Sequence, residues 1–158
     1  MSLFRLPLIA LLLALGACGF QPAYGPGGSG TALNGRVQVE DPKTRADQLL
    51  LQQLERRLGL AADPSFDLAI DLSTTEEGLA IDADGDITRY NLLGRAAYTL
   101  TDRTTGAVIT SGVVTNFTGY SATGTTVATL AAERDAQVRL MTILGDMVVD
   151  RLLAADVT

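Results

Sequence analysis

Three aspartates stand at alternate positions in a short polar run, where they could bind a divalent cation. Asp82, Asp84 and Asp86 belong to the run Asp-Ala-Asp-Gly-Asp, and carboxylate oxygens are the ligands that Ca²⁺ prefers. An EF-hand loop that begins at Asp82 needs glycine at its sixth position and glutamate at its twelfth, where this chain has Ile87 and Leu93. Calcium binding is therefore a weak alternative, and the run is interpreted as a solvated turn between two strands.

The acidic side chains could also cleave glycosidic bonds, if two carboxylates faced each other across a cleft. Their spacing selects no such pair. The chain has no histidine, which removes the usual general base and the most common metal ligand. The sequence therefore predicts no catalytic residues, no metal and no cofactor, and the protein is not expected to be an enzyme.

Three arginines could bind phosphate or carboxylate groups through paired N–H donors. Arg89 and Arg95 have the same parity in a predicted strand, and Arg103 lies in the loop that follows it. Alternatively, they could form ion pairs with Asp67 and Asp71, which lie on the polar face of the preceding strand. Because the sequence does not define the strand register, ion pairing is the favoured interpretation and anion binding remains a hypothesis.

Cys18 is the only cysteine of the chain, and it ends a Leu-Gly-Ala-Cys run. Arg5 and the apolar stretch 6–15 precede it in the order of a secretory signal peptide, and the stretch is too short to span a membrane. The run resembles the lipobox of bacterial lipoproteins, whose thiol receives a diacylglyceryl group before the chain is cut there and the new amine is acylated. We predict that residues 1–17 are removed and that lipid on Cys18 anchors the protein.

The mature chain is acidic. Removing Arg5 with residues 1–17 leaves 11 basic and 18 acidic side chains, a net charge of −7, which argues against nucleic-acid binding. Gly19 follows Cys18, whereas aspartate at that position retains lipoproteins at the inner membrane in many diderm bacteria. The expected location is therefore the outer membrane, with the protein lipid-anchored on its periplasmic side.

The mature chain divides into a flexible tether and one folded domain. Glycine and proline are frequent in residues 18–35, which is typical of a flexible tether. The length of 36–155 suits a single domain. Alternating apolar residues and helical spacing predict its strands and helices: strands at 36–40, 66–73, 87–101 and 107–120, and helices at 45–58 and 126–154.

Local signals refine these elements. Thr44 and Asp47 resemble a capping box before the first helix, and Gly145 marks either a bend or close packing in the second. The polar stretch 74–86 is predicted to be a turn, and Ser111-Gly112 a β-bulge.

The element order β-α-β-β-β-α predicts an α/β (α+β) fold. Three consecutive strands without an intervening helix favour antiparallel neighbours, and both helices can cover the same face. We therefore expect a two-layer sandwich with a four-stranded, mainly antiparallel sheet and two helices on one face. The opposite face would be open and polar, as antiparallel sheets allow.

Two motifs resemble the LptE family of lipopolysaccharide-assembly lipoproteins, especially its alphaproteobacterial branch. The first is Cys-Gly-Phe-Gln-Pro-Ala-Tyr-Gly at 18–25. The second is Ala-Thr-Leu-Ala-Ala-Glu-Arg-Asp-Ala at 128–136, followed by Arg-Leu at 139–140 and Asp-Arg-Leu at 150–152. The predicted order of elements agrees as well, so the resemblance covers essentially the whole mature chain.

The resemblance implies a function that composition alone does not indicate. Proteins of this family act as plug and assembly partner inside the LptD β-barrel and help to deliver lipopolysaccharide to the cell surface. Lipopolysaccharide contact is attributed there to exposed basic residues, and we assign it as a hypothesis to Arg89, Arg95 and Arg103. The net charge of −7 departs from a strongly basic lipid-binding surface. The alternative is an outer-membrane lipoprotein that binds a small ligand or calcium.

Overall fold

The computed structural model describes Gly25, residues 28–155 and Val157. Its elements in chain order are α1 (Ser29–Leu33), β1 (Val37–Val39), α2 (Arg45–Leu58), β2 (Phe66–Ile81), β3 (Ile87–Asp102), β4 (Val108–Ser121) and α3 (Thr126–Leu153). The predicted signal peptide and Cys18 lie outside the described residues. Within the part that is described, no helix is long and apolar enough to cross a membrane.

The four strands form one sheet in the order β1-β2-β3-β4. β1 is parallel to β2, whereas β2 with β3 and β3 with β4 are antiparallel. β1 has only three residues and pairs with Phe66–Leu68 at the start of β2. The predicted fold class, a mainly antiparallel four-stranded sheet combined with helices, is confirmed.

The core lies between the sheet and the two long helices. Successive side chains of a strand point to opposite faces, and on β3 Leu92, Ala96 and Leu100 are buried, as their shared parity predicts. Gly94 has the same parity, and a Cβ there would lie 2.7 Å from Cδ1 of Leu144 in α3. Its missing side chain therefore lets α3 approach the centre of the sheet.

The two long helices pack closely where Gly145 of α3 meets α2. A Cβ on Gly145 would lie 2.6 Å from Cγ of Gln53, which supports the close-packing interpretation of this glycine. Beside this contact, Nε2 of Gln53 donates to Oδ1 of Asp146 at 2.7 Å. Arg57 forms an ion pair with the same aspartate, so a polar cluster borders the tight helix contact.

The predicted capping box is present at the start of α2. The N–H of Asp47 donates to Oγ1 of Thr44 at 3.1 Å, and the N–H of Thr44 donates to Oδ2 of Asp47 at 2.8 Å. These bonds satisfy backbone donors that the first helical turn cannot pair internally. The helix ends at Leu58, and Gly59 follows it as the C-cap with a positive φ of 79° that suits glycine.

We expect Thr44→Ala to lower the free energy of unfolding by about 1 kcal/mol, because alanine cannot accept the cap hydrogen bond. Thr104→Ala is the matched control, since its exposed hydroxyl makes no hydrogen bond to the described residues. Urea unfolding of the two variants should separate them. Equal stabilities would contradict a stabilising role for the cap.

The prediction of a flexible tether as far as residue 35 is wrong for its last part. Ser29–Leu33 form α1, and Leu33 is completely buried. Oγ of Ser29 donates to the carbonyl of Ala155 at 2.8 Å, which ties α1 to the end of α3. One buried leucine and one long-range hydrogen bond outweigh a local composition that favours coil.

The predicted turn 74–86 is also too long. β2 continues to Ile81, and only Asp82–Asp86 form the turn to β3. Nearly every residue of β2 after Ser73 is exposed, so the apolar alternation that identifies a half-buried strand is missing from this stretch. Pairing with β3 nevertheless continues to Ile81 opposite Ile87.

The bulge in β4 lies two residues before the predicted position at Ser111-Gly112. Leu100 pairs with Thr110 and Thr101 pairs with Val108, which leaves Ile109 as the extra residue. Gly112 does not form a bulge. It lies opposite Tyr98, and a Cβ there would lie 2.7 Å from the tyrosine hydroxyl.

Candidate functional site

The candidate site is the sheet surface opposite the helices, called here the open face. The odd-numbered residues of β3 point to it, as do those of β2 before its register shift at Gly78 and those of β4 after its bulge at Ile109. Across the three strands, Thr75, Leu93 and Phe117 lie side by side, and Ser73, Arg95 and Thr115 form the next row. These six residues line a shallow depression, which combines one guanidinium with hydroxyls, an aliphatic side chain and an aromatic ring.

Arg95 is exposed at the centre of this depression. Asp71, one of its predicted partners, lies opposite Ala97 in the register, and Arg95 forms no ion pair with any residue that the structure describes. Its neighbours on the two flanking strands are the hydroxyl residues Ser73 and Thr115. The guanidinium can therefore bind an external anion without first breaking a salt bridge.

Arg103 forms an ion pair within the protein, which the sequence offered as the alternative to anion binding. Its Nε lies 3.2 Å from Oδ1 of Asp67, so the predicted pairing with the neighbouring strand is present for this residue. Both side chains are about half exposed, and such surface pairs contribute little stability. The pair nevertheless supplies Arg103 with a counter-charge, which makes it a weaker candidate for anion binding than Arg95.

Arg89 lies on the open face near the turn between β2 and β3. A Cβ on Gly119 would lie 3.6 Å from its Nη2, so the guanidinium is close to the end of β4. Arg95 lies six positions further along β3, about 20 Å away at 3.4 Å per residue. The three arginines thus follow one face of the sheet but do not converge on one site.

The Asp82–Asp86 turn is held by its own first aspartate. Oδ1 of Asp82 accepts the N–H groups of Asp84 and Asp86, both at 3.0 Å, and Gly85 has a positive φ of 92°. This is the structure expected of an Asx turn between strands. Among the described residues no group of three or more His, Cys, Asp or Glu side chains could hold a metal ion.

A tyrosine pair on the helix-facing side was missed by the sequence analysis. The rings of Tyr90 and Tyr120 stack with centroids 5.3 Å apart, and the Tyr120 hydroxyl donates to Oε1 of Glu76 at 2.8 Å. Burial of the phenol, followed by its hydrogen bond to Glu76 and the nearby charge of Glu133, raises the pKa of Tyr120 above its ordinary value. The pair joins β2, β3 and β4 beside the exposed half of α3.

This pKa shift predicts a loss of stability at high pH. Since the folded protein holds the Tyr120 proton more tightly than the unfolded chain, the stabilisation is complete below about pH 10 and declines as the pH rises further. Tyr120→Phe should flatten this alkaline decline in the free energy of unfolding, measured by urea titration at several pH values. An equally steep decline in the variant would contradict the assignment to Tyr120.

A family comparison identifies the class of protein to which this domain belongs. The model of LptE, described as lipopolysaccharide-assembly, matches residues 35–152. The chain belongs to the LptE lipopolysaccharide-assembly family. The match extends from the start of β1 almost to the end of α3, so it includes the whole sheet and both long helices. The resemblance read from the two sequence motifs is confirmed.

Solved structures share the fold. A lipoprotein from Caulobacter crescentus has a TM-score of 0.67 at 20% identity, with 80% of this chain and 93% of that chain covered. A minor lipoprotein from Acinetobacter baumannii has 0.59 at 19% identity, covering 75% and 92%. Rare lipoprotein B from Shewanella oneidensis has 0.56 at 13% identity, again covering 75% and 92%. No curated protein sequence matches the chain.

Proposed function

We propose that this protein is an outer-membrane lipoprotein that acts, without catalysis, as plug and assembly partner of an LptD-like β-barrel in lipopolysaccharide transport. The family match across the complete α/β domain carries this proposal. Lipid on Cys18 would anchor the domain on the periplasmic side of the outer membrane. The chemistry of the open face is consistent with binding another molecule rather than transforming it.

Co-purification from membranes tests the partner. The full chain, carrying a C-terminal affinity tag and extracted from outer membranes in mild detergent, should bring down a large outer-membrane β-barrel in stoichiometric amount. Heat treatment before electrophoresis should shift the apparent size of that band, as it does for barrel proteins. Recovery of the lipoprotein without a barrel would disprove the proposed partnership.

The depression around Arg95 supports direct contact with lipopolysaccharide. The phosphate groups of lipopolysaccharide would bind the Arg95 guanidinium, which has no ion-pair partner in the described structure and has the hydroxyls of Ser73 and Thr115 on either side. The apolar parts of lipopolysaccharide would contact Leu93 and Phe117, and the Phe117 side chain is 59% exposed. A combination of one cation with exposed apolar surface suits an amphipathic anion better than a simple phosphate.

We expect Arg95→Ala to weaken lipopolysaccharide binding about tenfold, since hydrogen bonds to charged groups contribute about 1.5–3 kcal/mol each. Arg103→Ala should change it less, because Arg103 is already paired with Asp67. Arg89→Ala shows whether the contact extends along the strand. Binding is measured by displacement of a fluorescent lipopolysaccharide from the full chain in detergent, and barrel co-purification is measured separately. Unchanged binding in Arg95→Ala would disprove the direct contact at this depression.

A further inference from the structure

β4 forms one edge of the sheet, and its composition is unusual for that position. Its 14 residues, from Val108 to Ser121, include no charged residue and no proline. Exposed edge strands are normally protected from other strands by charges, by proline or by short length. The opposite edge follows this rule, because β1 has three residues and the segment Glu40–Lys43 after it contains three charged residues and a proline.

The hydrogen-bond pattern shows which groups of β4 face outward. The N–H of Ala122 donates to the carbonyl of Thr88 on the β3 side, so the even-numbered residues of β4 pair with β3 and the odd-numbered residues face away from it. Side chains of the protein already satisfy two outward groups. Oδ1 of Asn116 accepts the N–H of Phe117 at 2.8 Å, and Arg139 donates to the carbonyl of Gly119 at 3.2 Å.

Thr115 lies at the centre of the outward row. No side chain in the described residues bonds to its backbone N–H or C=O, nor to those of Val113. Both residues are exposed. A second strand could therefore bond to Val113 and Thr115 without any change in the β3–β4 ladder, whereas bonding at Phe117 requires its N–H to leave Oδ1 of Asn116.

The side chains of β4 complement a second copy of the same strand. In an antiparallel pair with Thr115 opposite Thr115, Val113 of each copy lies opposite Phe117 of the other. These side chains are 49% and 59% exposed in the single chain, and aromatic pairs with β-branched residues stabilise neighbouring strands. Because β4 is uncharged, this pairing places no like charges opposite each other, although each full chain carries −6.

We infer that β4 is a self-association edge, at which two copies of this chain pair antiparallel about a two-fold axis at Thr115. The two four-stranded sheets then form one sheet of eight strands, and the four exposed side chains of Val113 and Phe117 are covered. The interface is isologous, as expected of a closed dimer. It occupies an edge that would otherwise accept strands from unrelated proteins, and it does not depend on the proposed transport function.

The oligomeric state of the full chain, separated in detergent from any co-purifying β-barrel, tests this inference. Light scattering coupled to size exclusion, with the protein mass determined separately from the detergent, should give a dimer that dissociates on dilution. Thr115→Lys should shift it to the monomer by placing like charges opposite each other. Thr75→Lys is the matched control, since it makes the same change at an exposed position of the open face two strands away, and it should remain a dimer.

Two further variants keep the test decisive if Thr115→Lys folds poorly. Thr115→Pro removes an outward N–H that the β3 ladder does not use, and it should also be monomeric. Thr115→Cys should form a covalent dimer on mild oxidation, because Cα atoms of opposed residues lie about 5.5 Å apart, within disulfide range. Thr75→Cys contains the same native cysteine and provides the background level.

Three results would overturn the inference. The first is a monomeric wild-type chain at every soluble concentration, and the second is covalent dimer formation by Thr115→Cys at only the level of Thr75→Cys. The third is a monomeric wild type in which Thr115→Lys loses a co-purifying protein. That result would assign the β4 edge to a strand of another protein instead of a second copy.

Discussion

Replacing Leu144 by alanine is expected to lower the free energy of unfolding by about 3 kcal/mol. Leu144 is completely buried in α3, and its Cδ1 occupies the space that Gly94 leaves free beneath the helix. Removing the side chain loses apolar burial and leaves a cavity that the flanking sheet and α2 cannot easily fill. For a domain of this size the melting temperature should fall by roughly 6–12 °C.

Val138→Ala is the control for this substitution. Val138 lies on the same helix but is 42% exposed, so shortening it should change the free energy of unfolding by less than about 1 kcal/mol. Denaturant unfolding followed by circular dichroism gives both values under the same conditions. Equal losses for the two variants would mean that the contact between α3 and the centre of the sheet is not the main source of stability.

The sequence predicts an element well where one face of it is buried. α2 and β3 are recovered almost residue for residue, because helical spacing with a capping box identifies the first and the shared parity of apolar residues from Tyr90 to Leu100 identifies the second. From Thr74 onward β2 has almost no buried residue, and its pairing with β3 alone extends the strand. Strand pairing through backbone hydrogen bonds alone produces no apolar alternation, so the sequence does not predict this part of the strand.

The parity of the open-face arginines was predictable, but their partners were not. Whether Arg95 meets an aspartate depends on the register, and the observed register places Ser73 and Thr115 beside it. The stacking of Tyr90 on Tyr120 depends on the same information, because the two residues are 30 positions apart in the chain. A slip of one residue would move every one of these side chains to the opposite face.

The contrast between the two sheet edges links the fold to the proposed location. A periplasmic lipoprotein at the outer membrane would meet unfolded barrel proteins, whose strands can pair with any free edge. In this domain the charged segment Glu40–Lys43 follows the short β1, whereas β4 itself contains no charge and no proline, and only its bulge at Ile109 and the Arg139 contact to Gly119 interrupt its outward edge. Pairing of two copies at β4 would cover this edge and so protect it from strands of other proteins, which the β4 sequence does not do with charges or proline.

Cys18→Ala is expected to abolish lipidation and, with it, lipid-anchored attachment to the outer membrane. The predicted reaction requires a thiol at this position, and the chain has no second cysteine that could replace it. Metabolic labelling with a radioactive fatty acid should lose its signal completely. The unprocessed chain should also retain residues 1–17 and migrate more slowly on electrophoresis.

Ala17→Ser provides the control, because serine is also small and leaves the thiol in place, so labelling and processing should continue.

Each acyl chain contributes about 0.8 kcal/mol per buried CH₂ group, so two or three chains hold a protein at the membrane by themselves. After Cys18→Ala, outer-membrane fractions should contain only the protein that the proposed barrel partner retains, and high salt or mild detergent should release it more readily than the lipidated form. Persistent fatty-acid labelling of Cys18→Ala would disprove the assignment of the lipid to this residue. Normal fractionation without labelling would instead mean that a contact other than the lipid, such as the proposed barrel, localises the domain.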